Sequence, residues 1–284
     1  MHEKRGSEDM GEVIAIANQK GGVGKTMTSV SLSACLALHD KRVLLVDLDP
    51  QGHSTKAFGY RNMNEYPLSM KDVIVSVIQN IQIDIDKLIL NSDEGVDIAP
   101  ANISLAGINS MLESAMCRET VVKRFLDTVK EEYDYIIIDT NPSLDNLPIN
   151  ALTAADKVII TVQAEPYGVE GMADLLKSIH MVQRNLNNEL MIEGILITMT
   201  DERTNLSKKI TQSVRKNFGN HIKIFDVTIP RCIKAAESTG VGESIFKYDP
   251  KGTATRAYET LTKEVFLNVE KEHSRHKDTY LRCY

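Results

Sequence analysis

The sequence is short of cysteine and offers no arrangement of it that chemistry could use. Its four cysteines, Cys35, Cys117, Cys232 and Cys283, lie far apart with no Cys-x-x-Cys or Cys/His pairing. That argues against a zinc site or a disulfide framework and fits a reducing cytosol. Long apolar runs are missing as well. No stretch of about eighteen apolar residues is present to span a bilayer, and the polar opening, MHEKRGSEDMGE, lacks the apolar centre of a signal peptide. Nor is positive charge in excess: 33 basic residues face 39 acidic ones, for a net charge of −6. Nucleic-acid contact is therefore not written in the total and would have to come from a local patch. No internal repeat, low-complexity linker or break in composition divides the 284 residues. These absences point to a soluble, cytoplasmic protein built on one domain, residues 12–270, between a flexible segment at 1–11 and a polar tail at 271–284.

What is present is an alternation. Short apolar, β-branched runs at 13–17, 43–46, 135–138, 157–162, 194–199 and 223–229 are separated by helical patterns at 27–38, 105–115, 120–131, 169–186, 206–217 and 253–269. Most of the runs are apolar throughout, as strands covered on both faces are. The expected fold class is α/β, a mostly parallel twisted β-sheet with helices on both faces. Residues 60–91 are the least regular, and their helices are not placed.

After the first strand comes Gln19-Lys20-Gly21-Gly22-Val23-Gly24-Lys25-Thr26-Met27. Glycines let a backbone fold tightly with its N–H groups turned inward on phosphate oxygens, and the following helix presents its positive end to the same anion. In such a loop Lys25 reaches the β- and γ-phosphates and the Thr26 hydroxyl ligates Mg²⁺. The general pattern has glycine six residues before the lysine; Gln19 stands there, followed by a second lysine, Lys20. Lys20 either adds charge to its own loop or serves a neighbouring site.

Two acidic motifs follow. Asp47-Leu48-Asp49-Pro50-Gln51-Gly52 ends the second strand about 24 residues after Lys25. Alternation puts Asp47 and Asp49 on one side, at the carboxyl end of the sheet where open α/β folds bind ligands. Tyr135-Ile136-Ile137-Ile138-Asp139 is an apolar strand ending in aspartate, the arrangement that carries magnesium, directly or through water, in nucleotide hydrolases.

Together KGGVGKT, the DxDPQG pattern and Asp139-Thr140-Asn141-Pro142-Ser143-Leu144 resemble the deviant Walker A class of P-loop NTPases, and within it the ParA/Soj-type partition ATPases. The similarity extends through residues 198–206, Ile229-Pro230-Arg231 and Tyr248-Asp249-Pro250, so it covers residues 12–268. One departure stands out: the family's usual DxPPSL has Asn141 at its first proline. The resemblance implies an ATP hydrolase of weak intrinsic rate that uses ATP and Mg²⁺. By it, Lys20 crosses a homodimer interface to the partner's nucleotide, Asp49 positions or activates the attacking water, and Asp47 supports the shell of a magnesium held by Thr26 and Asp139. Met199 and Pro230 are implied near the adenine. An ATP-bound sandwich dimer then holds double-stranded DNA nonspecifically and lets go on hydrolysis stimulated by a ParB-type centromere-binding protein, so the protein is nucleoid-associated in its ATP state.

Charge along the chain agrees in part. From Arg203 to Ala236 eight basic side chains face Asp226 alone, about +7 in a protein of net −6. On a helix Lys208, Lys209, Arg215 and Lys216 share one broad face, which is either a solvated surface or a phosphate-binding one. The resemblance favours the second and adds Arg203 and Lys234. Other readings are weaker. A MinD-like membrane cycler would need a basic amphipathic C-terminal helix, whereas EKEHSRHKD is of mixed charge. An iron–sulfur carrier would need paired cysteines, and a related tyrosine kinase a larger cluster than Tyr280 and Tyr284. A binding module that hardly hydrolyses ATP is disfavoured by Asp49. About a dozen residues precede the first strand, too few for an operator-binding helix-turn-helix.

Overall fold

The computed structural model describes residues 11–143, 145–165 and 171–265. Eight strands form one sheet in the order β3-β4-β2-β5-β1-β6-β7-β8. They are β1 (Glu12–Ala17), β2 (Val43–Leu48), β3 (Leu90–Asn91), β4 (Val96–Ala99), β5 (Tyr135–Thr140), β6 (Lys157–Gln163), β7 (Met191–Thr200) and β8 (Ile224–Pro230). Every pairing is parallel except β3 with β4. Among the described residues twelve α-helices surround it: α1 (Lys25–Leu38), α2 (His53–Ala57), α3 (Met70–Gln79), α4 (Ile85–Leu88), α5 (Ile108–Ser114), α6 (Val121–Val129), α7 (Asn146–Ala154), α8 (Met172–Asn185), α9 (Asn205–Phe218), α10 (Ile233–Val241), α11 (Ile245–Tyr248) and α12, described over 253–265.

The all-apolar strands are buried on both sides, which is why they do not alternate. Val13, Ala15, Leu44, Val46, Ile136 and Ile138 pack beneath α3, α6, α7, α8 and α9. Their neighbours Ile14, Ile16, Leu45 and Ile137 pack beneath α1 and α12, where Tyr258 and Leu261 are buried. Because the strands are parallel and short, the carboxyl ends of β1, β2 and β5 come level: Ile16 pairs with Asp139, and Asp139 with Asp47. That shared edge is where the loops gather.

All six strands expected from sequence are present, with shifted ends. β7 starts three residues early, because Glu193 interrupts the apolar run yet is buried between Lys157 and Lys223. The expected helix at 105–115 is divided: a 3-10 turn, Ile103–Gly107, capped by Asn102, precedes α5. Within 60–91, α3 begins at a capping box in which Ser69 and Asp72 satisfy each other's ends. The start of the pattern at 169–186, the last residues of that at 253–269, residues 1–10 of the flexible segment expected at 1–11, and the tail expected at 271–284 lie outside the described residues. Gly11, the last residue of that first segment, is instead buried, its N–H donating to the Lys130 carbonyl at 3.3 Å. Among the described residues no helix is long and apolar enough to cross a membrane.

Candidate nucleotide site and basic face

The loop after β1 is shaped by two left-handed glycines, Gly22 at φ 73° and Gly24 at φ 84°, a backbone that side chains with a Cβ rarely adopt. Gly24 is the N-cap of α1, so the free N–H groups of that helix open on the loop. Thr198 in β7 supports the loop from the side, its hydroxyl donating to the Val23 carbonyl at 2.9 Å. The Lys25 ammonium, mostly buried, donates to the Lys20 carbonyl at 3.1 Å. Burial lowers the pKa of Lys25, and the carboxylates of Asp139 and Asp49 partly restore it.

Asn18, 4% exposed, is the post on which Lys20 is hung. Its Oδ1 accepts from the Lys20 N–H at 2.8 Å, and its Nδ2 donates to the Thr161 carbonyl in β6. The Lys20 side chain is half-buried at the rim. Gln19 Nε2 is buried and has no partner among the described residues.

Asp47 and Asp139 face each other across β2 and β5, both fully buried. Asp47 holds the following turn: Oδ1 accepts from the Asp49 N–H at 3.1 Å, and Oδ2 from the N–H and hydroxyl of Thr55 at 2.9 and 2.7 Å. Asp49 in turn accepts from the Gln51 N–H at 2.8 Å. Gly52 is required here, at φ 61° and with space for a Cβ blocked by the Ala101 carbonyl at 2.6 Å. Asp139 is ringed by hydroxyls, accepting from Ser29 at 3.2 Å, from Ser54 and from Thr26. Desolvation raises the pKa of Asp47 to about 7, with Asp139 adding to it, and raises that of Asp139 too. Two buried carboxyls, with the buried Lys25 beside Asp139 the only cation acting on either among the described residues, are short of positive charge. A divalent cation beside Asp139 and the Thr26 hydroxyl fits that deficit.

The structure therefore brings Gly21, Gly22, Val23, Gly24, Lys25, Thr26, Asp47, Asp49 and Asp139 to one edge. Met27, in the first turn of α1, packs its side chain against the core. Met199 and Pro230 lie one step apart at the ends of β7 and β8, Thr200 pairing with Pro230, and Met199 takes a left-handed backbone at φ 53°. Sequence reasoning missed Asn18, Ser29, Ser54, Thr55 and Thr198; Ser54-Thr55, directly after the Gly52 turn, was the nearest thing to a signal.

The basic stretch falls mainly on α9. Thr204 caps this helix, and Ser207, Ile210 and Val214 form its buried side. At about 100° per residue, Lys208, Lys209 and Lys216 project away from that side and are exposed. Arg215 differs: its guanidinium donates to the carbonyls of Phe225 and Asp226 at 3.0 and 3.1 Å, tying α9 to β8. Arg203 pairs with Asp201 and Lys234 with Asp249, all on the surface.

A family model described as an AAA domain matches residues 11–192. The sporulation initiation inhibitor protein Soj of Bacillus subtilis is similar at 45% identity over 259 residues, 91% of this chain and 100% of that protein. The chromosome partitioning protein ParA of Caulobacter vibrioides is 36% identical over 255 residues, 89% of this chain and 93% of its own. Among solved structures, a cobyrinic acid a,c-diamide synthase from Mycobacterium smegmatis with bound ADP and magnesium superposes with a TM-score of 0.80 at 33% identity, over 92% of this chain and 96% of that one.

Proposed function

The chain belongs to the ParA/Soj family of partition ATPases, and we infer that it moves DNA cargo by an ATP-driven cycle of dimerisation, DNA binding and release. The observation that carries this reading is the convergence of the Gly-rich loop, Lys25, Asp49 and Asp139 on one sheet edge in a chain 45% identical to Soj.

ATP lies with its phosphates on the N–H groups of residues 21–27, and its base toward Met199 and Pro230. Lys25 turns from the Lys20 carbonyl to the β- and γ-phosphates. Thr26 and Asp139 hold Mg²⁺, and Asp47 supports that shell by fixing the turn that carries Asp49. When bound, the metal offsets charge on the phosphates. Asp49 orients the attacking water. Lys20, fixed at its backbone by Asn18, extends to the nucleotide of a second copy, so two chains close face to face only while a γ-phosphate is there to hold them. The DNA contacts are Lys208, Lys209 and Lys216 on α9, with Arg203 and Lys234 joining by exchanging their surface carboxylates for phosphates. Arg215 contributes by holding α9 in place. Such contacts carry no sequence information and weaken steeply with salt. A ParB-type centromere-binding protein stimulates a slow intrinsic turnover, and the ATP-bound form is nucleoid-associated. The partition proteins among its relatives favour this over a membrane-cycling role.

The test is ATPase rate with and without nonspecific duplex at two salt concentrations, alongside sedimentation with a nonhydrolysable analogue. Dimerisation and salt-sensitive DNA binding that both require ATP are expected. If ATP analogues change neither, the partition reading is wrong.

A further inference from the structure

Asn141 directly follows β5 and has no part in the chemistry described so far. It is 8% exposed, and its Oδ1 has no hydrogen-bond partner among the described residues. An unpaired buried carbonyl oxygen is unfavourable, and native proteins seldom leave one without a protein, water or ligand donor.

Its position is set from both sides. β2 and β5 run in register through Asp47–Asp139 to their last pair, Leu48–Thr140, so Asn141 and Asp49 are the residues that leave these two neighbouring strand ends. On the other side, the Thr140 hydroxyl donates to the Ile16 carbonyl at 2.8 Å, holding this strand end against the strand that feeds the loop. Pro142 then packs toward the loop, 3.9 Å from where a Cβ on Gly21 would lie. The amide is oriented too. Nδ2 lies 3.4 Å from Asp145 Oδ2, which only accepts, so Oδ1 is the end turned away from Asp145. Asp145 is fixed as the cap of α7, accepting from the Leu147 N–H at 3.1 Å and from Asn109 at 3.0 Å.

A water that attacks phosphorus in line needs both hydrogens tied down so that a lone pair faces the phosphate. Asp49 has one oxygen committed to the Gln51 N–H, and its other can accept one of those hydrogens. A second carboxylate for the other hydrogen would add charge beside an already anionic phosphate; a neutral amide oxygen does not.

We propose that Asn141 Oδ1 is the second acceptor for the attacking water, paired with Asp49. This rests on the reading that the site hydrolyses ATP. The water oxygen bonds to the γ-phosphorus as the bridging P–O bond breaks, its electron pair leaving with ADP. The proton facing Asp49 passes to that carboxylate and then to the product phosphate. Asn141 takes no proton and only holds the water.

The experiment compares wild type, Asn141→Ala and Asn141→Pro, the last being the residue of the DxPPSL pattern. It measures kcat, the affinity for a fluorescent ATP analogue and for ADP, and the affinity for ADP–aluminium fluoride, which retains an apical water. Loss of one positioned hydrogen bond should lower kcat and aluminium-fluoride affinity about tenfold, with ATP and ADP affinity within about twofold. Asn141→Pro covers the case in which Asn141→Ala fails to fold. Unchanged kcat and aluminium-fluoride affinity would overturn the assignment, as would an equal loss in ADP affinity, which marks a structural role. A wild type that turns over and is silenced by Asp49→Ala, yet is indifferent to Asn141→Ala, sinks this inference alone. A wild type with no magnesium-dependent hydrolysis sinks it together with the reading beneath it.

Discussion

The buried amide of Asn18 accepts from the Lys20 N–H at 2.8 Å while donating to the Thr161 carbonyl in β6. The rim lysine is thus moored to the sheet by a side chain that is itself buried. In the proposed cycle Lys20 would begin its reach from a fixed point, which would lower the entropy lost on meeting a phosphate.

Asn18→Ala removes that mooring. ATP-dependent dimerisation should weaken by roughly tenfold, the worth of about one hydrogen bond, while monomeric ATP affinity changes less. Sedimentation with a nonhydrolysable analogue measures it, and dimerisation at wild-type concentrations would show that Lys20 needs no such support.

Lys25→Ala and Asp49→Ala should part company. The first removes the cation at the centre of the loop and is expected to abolish ATP binding. The second should leave ATP binding and DNA association intact while turnover falls by about a hundredfold or more. Calorimetry with ATP and a phosphate-release assay separate the two; an Asp49→Ala protein that hydrolyses normally would remove Asp49 from the mechanism.

On α9 the geometry separates residues that charge alone groups together. Lys208→Glu, Lys209→Glu and Lys216→Glu combined should cut DNA affinity by more than tenfold and flatten its salt dependence, with the melting temperature and ATP affinity little changed. Arg215→Ala should instead cost about 1–2 kcal/mol of stability through the two carbonyls it leaves unpaired. Melting curves and DNA titrations on both proteins decide; equal loss of DNA binding without loss of stability in Arg215→Ala would return it to the interface.

Burial raises the pKa of Glu12 above its ordinary value of 4.5, outweighing its neighbour Lys157, which stands 2.8 Å away. Above that value the folded protein therefore holds more protons than the unfolded chain. The sign of linkage follows: stability contributed by Glu12 falls as pH rises through and beyond 4.5. The melting temperature of Glu12→Gln relative to wild type should accordingly climb between about pH 4 and 7, as thermal melts would show. A flat difference would mean that Lys157 compensates the carboxylate fully.

Much of this was legible in the residues themselves. Strands such as Val-Ile-Ala-Ile-Ala and Tyr-Ile-Ile-Ile are apolar at every position because both faces are covered, and their short length and β-branched content mark them as strands. Lys25, Thr26, Asp49 and Asp139 were legible because each closes an apolar strand or a glycine turn. What stayed hidden needed the third dimension. Asn18 and Thr198 look ordinary in the chain and matter through partners 143 and 175 residues away. Arg215 and Lys216 are adjacent and identical in charge, and only the position of β8 shows that one of them is spent on backbone carbonyls. α7 has no counterpart among the helical patterns of the sequence, and Pro148 stands in its first turn, where a missing N–H costs nothing.

Strand β7 touches the loop through Thr198 and, a few residues on, delivers the chain to Thr204 at the head of α9. Residues 199–203 contain neither glycine nor proline. That span joins the strand that braces the loop to the helix that carries the basic side chains, so the two belong to one continuous piece of chain. Grafting one without the other onto a new scaffold would mean cutting the beam that joins them.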